Sequence, residues 1–289
     1  MDVLGGFQII SMTRNIQLVK GKRIGRVLFI VEGLDDEFRI LCKIFNEIFG
    51  YRFEKLDRNG KHWPKKPFID DNNNSSVFAI NSKQSCITDI LRDENGNNEF
   101  LDDMHRKLIE EYNFPVDKAA IYYIFDRDVE CNTEESIYDL IYKLANSRDE
   151  INSEYYKGLL LLSYPSSESF IVSNYKTNSY DVEYRLGKDV KRYLHSLGAG
   201  CTIQNITEDT LKVAIEEMLN TIEKMGLQEY DLDNFYEANK FIFEFENNHY
   251  KSTNKYKLIS LICIALLDLG LINIEWFITD KIPTFNKCL

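Results

Sequence analysis

Two short apolar runs in this chain stop abruptly at acid. The first is Arg26-Val27-Leu28-Phe29-Ile30-Val31, followed by Glu32-Gly33-Leu34-Asp35-Asp36-Glu37. The second is Tyr122-Tyr123-Ile124-Phe125, followed by Asp126-Arg127-Asp128. Carboxylates brought together from two such ends repel one another unless they are protonated or neutralised by a cation. Oxygen-only donors favour Mg²⁺ or Mn²⁺. A divalent cation neutralises charge on phosphoryl oxygens, and a neighbouring carboxyl can carry the proton of an attacking or leaving oxygen. Glu32, Asp126 and Asp128 are therefore the candidate cluster. Gly33 lets backbone approach a phosphate where a side chain would block it. Asp36 has two readings, a helix cap and a support for the metal. Arg127, between the two aspartates, should point away from them, toward the backbone of a substrate.

Stretches that short and rich in Val, Ile, Phe and Tyr read as buried parallel strands. Acids at their carboxyl ends fall where open α/β sheets place their sites. Ahead of the first run, Phe7-Gln8-Ile9-Ile10 and Ile16-Gln17-Leu18-Val19 suit an edge hairpin within residues 1–24. After it, Phe38, Leu41, Phe45 and Ile48 fall at helical spacing. Residues 55–75 are polar and read as a loop. Ser76–Ile80 is a second strand, followed by helices around Ile87, Ile90 and Leu91, and around Met104, Leu108 and Tyr112. Ala119–Phe125 is the third strand. Asn132 with Glu135 suggests a capping box before Ile137, Leu140, Ile141 and Leu144. Gly158–Leu162 is a fourth strand. This alternation predicts a parallel sheet with right-handed crossovers. Beyond about residue 175, Leu211, Ile215, Met218, Ile222 and Met225 repeat at steps of four and three, and Phe235–Phe245 and Lys257–Leu271 also read as helical. The expected organisation is an α/β domain over 1–174, its core about 25–170, and a helical region over 175–289.

The 289 residues carry a net charge of −11, so any nucleic-acid contact needs a local basic patch or a bound metal. One such patch is the loop Asn59-Gly60-Lys61-His62-Trp63-Pro64-Lys65-Lys66. Lys61, Lys65 and Lys66 with Trp63 could hold a single strand by charge and stacking; the plainer reading is a solvated loop. Lys188, Lys191, Arg192 and His195 form a second stripe, read as a wet helix face. Six cysteines without a CxxC pair, and scattered histidines, argue against zinc and for a reduced, cytoplasmic protein. No apolar leader is apparent at the N-terminus. The greasiest segment, Lys257–Ile272, contains Asp268 and is too short for a membrane span.

A strand followed by Glu32-Gly33-x-x-Asp36, then a later strand ending in Asp126-x-Asp128, resembles the TOPRIM domain of topoisomerases, DnaG-type primases, small maturation ribonucleases and OLD-type nucleases. The resemblance implies a parallel, Rossmann-like sheet, Glu32 as general acid or base or as ligand to a second metal, and Asp126 and Asp128 as Mg²⁺ or Mn²⁺ ligands. Leu162-Ser163-Tyr164-Pro165-Ser166-Ser167-Glu168 is similar to the S-x-P-x-x-E segment of stand-alone TOPRIM proteins of phage defence, the RloB-like group and PARIS-type effectors. It departs from the RloB-like pattern at Tyr164, where Asn is usual. By this resemblance Glu168 joins the metal-binding acids; its plain reading is a helix N-terminal Glu.

Those features together imply a metal-dependent endonuclease acting on DNA or RNA, including tRNA, as an anti-phage effector. No G-x-x-x-x-G-K-[ST] occurs, so an ATPase partner would lie on a separate chain. The aromatic-rich helical region suits a homodimer, and no membrane partner is expected. Two rivals share parts of the pattern. Haloacid-dehalogenase phosphatases also use Asp-x-Asp, but on their first strand and usually followed by Thr, where this chain has Val129-Glu130. A TOPRIM-like module that binds without cutting is the non-enzymatic alternative.

Overall fold

A computed structural model describes residues 11–33, 36–54, 66–82, 101, 106–111, 114–127, 129–130, 133–148 and 157–279. In chain order come β1 (Ser11–Leu18), β2 (Arg26–Val31), α1 (Asp36–Cys42) running into a π-helical turn (Lys43–Ile48), β3 (Arg52–Phe53), β4 (Lys66–Asp70) and β5 (Ser75–Asn81). Then follow β6 (Ala119–Asp126), α2 (Glu134–Lys143), β7 (Ala145–Asn146), β8 (Gly158–Tyr164), α3 (Glu168–Tyr175), β9 (Glu183–Tyr184) and α4 (Gly187–Leu197). The described residues close with α5 (Glu208–Lys224), α6 (Phe235–Thr253), β10 (Tyr256–Lys257), β11 (Ile259–Ser260), α7 (Ile262–Asp268) and β12 (Ile272–Thr279).

The main sheet runs β11-β8-β6-β2-β5-β4-β3, with β7 also on β8. Its centre, β8-β6-β2-β5, is parallel; β3, β4, β7 and β11 are antiparallel additions. Covered on both faces, parallel strands need apolar side chains at successive positions. Val27 to Val31, Ile121 to Phe125 and Leu159 to Leu162 are all buried. The expected mixed α/β architecture with a mostly parallel sheet is therefore present. From β2 the chain steps one way to β5, then returns across β2 to β6 and on to β8. That reversal lies between β2 and β6, and such a switch point opens a crevice at the carboxyl ends of the two strands.

Several local expectations are corrected. β1 pairs not with its own neighbours but with β12, from Ser11 opposite Thr279 to Leu18 opposite Ile272; Phe7–Ile10 lie outside the described residues. Within 55–75, residues 66–70 form β4, and Asp71–Asn74 make the hairpin turn into β5, Asn74 taking φ 49°. Phe68 earns burial there against Phe38, Phe45 and Phe53, which polarity along the chain does not reveal. The cap of α2 is Thr133, whose hydroxyl accepts from the Ser136 amide at 3.2 Å. Lys257–Leu271 is not one helix. Ile259 and Ser260 pair with Tyr164 and Ser163 at the edge of β8, and only Ile262–Asp268 is helical. A short apolar run suits either state, and the edge of β8 decides it. The helices around Phe235–Phe245 and Leu211–Met225 are present as α6 and α5. The expected helix around Ile87–Leu91 lies outside the described residues, as do Met104 and Tyr112.

Helical region and sheet share one continuous apolar core. At the C-terminus of α7, Asp268 ties this core to the sheet. It accepts from Tyr122, from Ser147 at 2.6 Å and from Arg148 at 2.6 Å. Burial, with Asp268 beside it, pushes the Tyr122 hydroxyl well above its ordinary pKa and keeps it a donor. Asp268→Ala is expected to destabilise the fold by about 2–3 kcal/mol, since it strands a buried hydroxyl and a guanidinium. Chemical denaturation measures this; an unchanged midpoint would show that the contact does not hold α7 to the sheet.

Candidate functional site

Glu32 directly follows β2, and Asp126 is the last residue of β6. Because Val31 is level with Ile124, the two acids meet across the switch point. Glu32 Oε2 accepts the backbone amide of Asp126 at 3.0 Å, and the Glu32 amide donates to Ile124 O at 3.2 Å. A third strand adds the next residues. Asp126 is level with Ser163 of β8, so the Pro165–Glu168 loop that leaves β8 arrives beside it. The Ser167 amide donates to Asp126 Oδ1 at 2.8 Å, and the Ser167 hydroxyl donates to Glu37 Oε1 at 3.2 Å. Ser166 Oγ donates to Glu168 Oε2 at 2.5 Å. On the far side of Glu168, Lys191 Nζ lies 2.9 Å from its Oε1 and 3.4 Å from Asp36 Oδ2.

Four acids, Glu32, Glu37, Asp126 and Glu168, thus lie close enough for the charges of the other three to act on Asp126. Burial holds the Asp126 carboxyl well above the usual carboxylate range, and the charges of Glu32, Glu37 and Glu168 push it further; the Ser167 amide opposes them. Glu37 is raised mainly by burial, with Asp36 and Glu168 adding repulsion. Lys191 is held above its ordinary value by Glu168. Such a site keeps a proton on Asp126 or draws in a cation. All its donors are hard oxygens, so in charge and chemistry it suits a divalent cation. Among the described residues, no three His, Cys, Asp or Glu side chains converge as ligands of one ion; Asp128 lies outside them.

Asp126, Glu130, Ser166 and Glu168 line a pocket of about 310 Å³ together with the cations Arg185, Lys188 and Lys191. The basic segment sits close to the loop after β8: a Cβ at Gly187 would come within 2.8 Å of Ser166 Oγ. At Gly33 a Cβ would come within 3.2 Å of Glu37 Oε2, so glycine there leaves room for the acid that supports Ser167.

Of the residues expected from sequence, Glu32, Gly33, Asp36, Asp126 and Glu168 gather here. Asp36 is ion-paired to Arg39 as well as Lys191, in the first turn of α1. Arg127 is a correction. It does point away from the acids, but into the core rather than toward a substrate. It is buried over the rings of Phe243 and Tyr256 and donates to Asn247 at 3.2 Å. Lys66 opens β4 opposite Ala79, at a different place in the sheet from the pocket; Lys61, Trp63 and Lys65 lie outside the described residues. Sequence reading missed Glu37, Ser166 and Ser167 as site groups and treated Lys188 and Lys191 as a solvated face. Their signal was faint, because only the fold brings α4 onto the loop after β8.

The raised Asp126 pKa has a definite pH signature. The folded chain binds more protons than the unfolded one between the ordinary Asp pKa and the raised value, so stability is lost as pH rises through that window. Asp126→Asn removes this loss. In EDTA its Tm is expected to exceed that of the wild type at about pH 7, and the gain should shrink at about pH 4. Thermal melts at both pH values test it; a lower Tm at about pH 7 would mean that Asp126 is a structural anion.

No family model, curated protein or solved structure matches this chain.

Proposed function

We propose that this chain is a metal-dependent phosphodiesterase with a TOPRIM-like sheet, cutting nucleic acid. One observation carries the reading. The Glu32 carboxylate accepts the backbone amide of Asp126 at 3.0 Å across the β2–β6 switch point, and Asp126 and Glu168 line one pocket beside it. Asp126 ends the third parallel strand, as the resemblance requires, not the first as in haloacid-dehalogenase phosphatases.

In this reading Asp126, Asp128 and Glu168 would hold Mg²⁺ or Mn²⁺, which would supply charge neutralisation at the phosphoryl oxygens. Glu32 moves the proton of the attacking or leaving oxygen. The Asp126 amide fixes the orientation of Glu32, and the Ser167 amide fixes that of Asp126. Glu37 holds the Ser167 hydroxyl and so positions the loop. The anti-phage role and a separate ATPase chain that restrains the enzyme follow from the resemblance, and a homodimer from the aromatic-rich helical region; all belong to the same proposal.

A second reading, a module that binds without cutting, draws on Lys191. Its ammonium already neutralises Glu168 and Asp36, so the site has an internal counter-charge. One experiment separates the two. Purified protein is incubated with plasmid, linear duplex, single-stranded DNA and total tRNA in Mg²⁺, Mn²⁺ or EDTA, beside Glu32→Gln. Glutamine still accepts the Asp126 amide, so the fold is expected to persist while cutting falls by about 10²-fold or more. Cutting retained in the variant would remove Glu32 from its role; no cutting by the wild type in either metal would favour the binding module.

A further inference from the structure

A chain of net charge −11 repels polyanions, so contact with a nucleic-acid strand has to be local. Three cations, Arg185, Lys188 and Lys191, line the same pocket as Asp126 and Glu168. Their situations differ. Lys191 is committed to Glu168 and Asp36. Arg185 and Lys188 are exposed, and among the described residues neither has an ion-pair partner. Two uncommitted cations that share a pocket with the acids Asp126, Glu130 and Glu168 suit a ligand that is anionic at one end and reacts at the other. With about 310 Å³, the pocket lies at the small end of ligand sites and admits one nucleotide unit rather than a duplex.

We propose that Arg185 and Lys188 form a phosphate subsite that holds one backbone phosphate of a single nucleic-acid strand beside the carboxylates. Arg185 offers a planar fork that matches two phosphate oxygens, and Lys188 adds a point charge. Lys191 keeps Glu168 in place, so the strand meets a fixed acid. Arg185 lies in the short link from β9 to α4 and Lys188 in the first turn of α4; Gly187 between them is packed tightly on Ser166 and so sets the distance between these cations and the acids. This assignment rests on the nuclease reading, and its test keeps the two apart.

The measurement is fluorescence anisotropy of labelled single-stranded DNA and RNA oligonucleotides, in EDTA and in the Glu32→Gln background, so that nothing is cut. The double variant Arg185→Gln/Lys188→Gln is compared with Lys251→Gln, an exposed cation on α6. Both substituted side chains of the double variant are exposed, and a melt checks that the fold is kept. The double variant is expected to weaken binding roughly tenfold or more. It should also flatten the slope of log affinity against log salt by about 0.7, the counterion release of one phosphate contact. Lys251→Gln should change neither. Unchanged affinity and slope in the double variant overturn the subsite, as does failure of the parent to bind either oligonucleotide. Binding of a mononucleotide through Arg185 and Lys188 without oligonucleotide binding would overturn the strand assignment. If the double variant loses binding while the wild type cuts nothing in Mg²⁺ or Mn²⁺, the subsite stands and the nuclease reading falls. If the wild type cuts and the variant binds normally, the reverse holds.

Discussion

Parallel pairing of β2 with β6, from Arg26 opposite Ala119 to Val31 opposite Ile124, is the contact on which the site depends. It delivers Glu32 and Asp126 to the same level and lets the Glu32 carboxylate accept the amide of Asp126. The pairing β6–β8 then extends the line, bringing Ser163 level with Asp126 and the Pro165–Glu168 loop to its side. A shift of either strand by one residue would turn the acids to the opposite face of the sheet. Continuous burial of Val27–Val31, Ile121–Phe125 and Leu159–Leu162 keeps the three strands where they are.

The acids sit together against their mutual repulsion. Burial and like charge both raise Asp126, so the cluster works against folding at neutral pH unless something compensates. The compensation is spread over several groups: two amide donors, two serine hydroxyls and the Lys191 ammonium.

The helical region reaches the site through the residue next to Asp126. Arg127 is clasped by α6 and β10, with its guanidinium over Phe243 and Tyr256 and a hydrogen bond to Asn247. Nearby Glu246 is fully buried, its pKa driven upward by that burial, and accepts the Lys257 amide at 3.1 Å. Asn239 of α6 donates to Leu160 O in β8 at 2.7 Å. A change in how α6 packs would therefore be felt at Asp126 through a single peptide unit. Among the described residues, no helix is long and apolar enough to cross a membrane.

Sequence by itself determined the central strands and the acids at their ends, because a parallel strand buried on both faces writes itself as an unbroken apolar run. It also gave α5 through its helical spacing. Glu32 and Asp126 were legible for the same reason, since charge placed directly after such a run is conspicuous; Glu168, six residues beyond Leu162, was reached only through the resemblance of its segment. Only the tertiary structure decided the rest. β1 and β12 lie at opposite ends of the chain, and no local pattern names a partner so distant. Ile259-Ser260 becomes strand rather than helix because β8 offers an open edge. Arg127 turns inward because aromatic rings and Asn247 receive it. The basic side of the pocket was invisible in sequence because Lys188 and Lys191 carry the spacing of an ordinary solvated helix and Arg185 stands alone ahead of it; what distinguishes them is the loop beside which the fold places them.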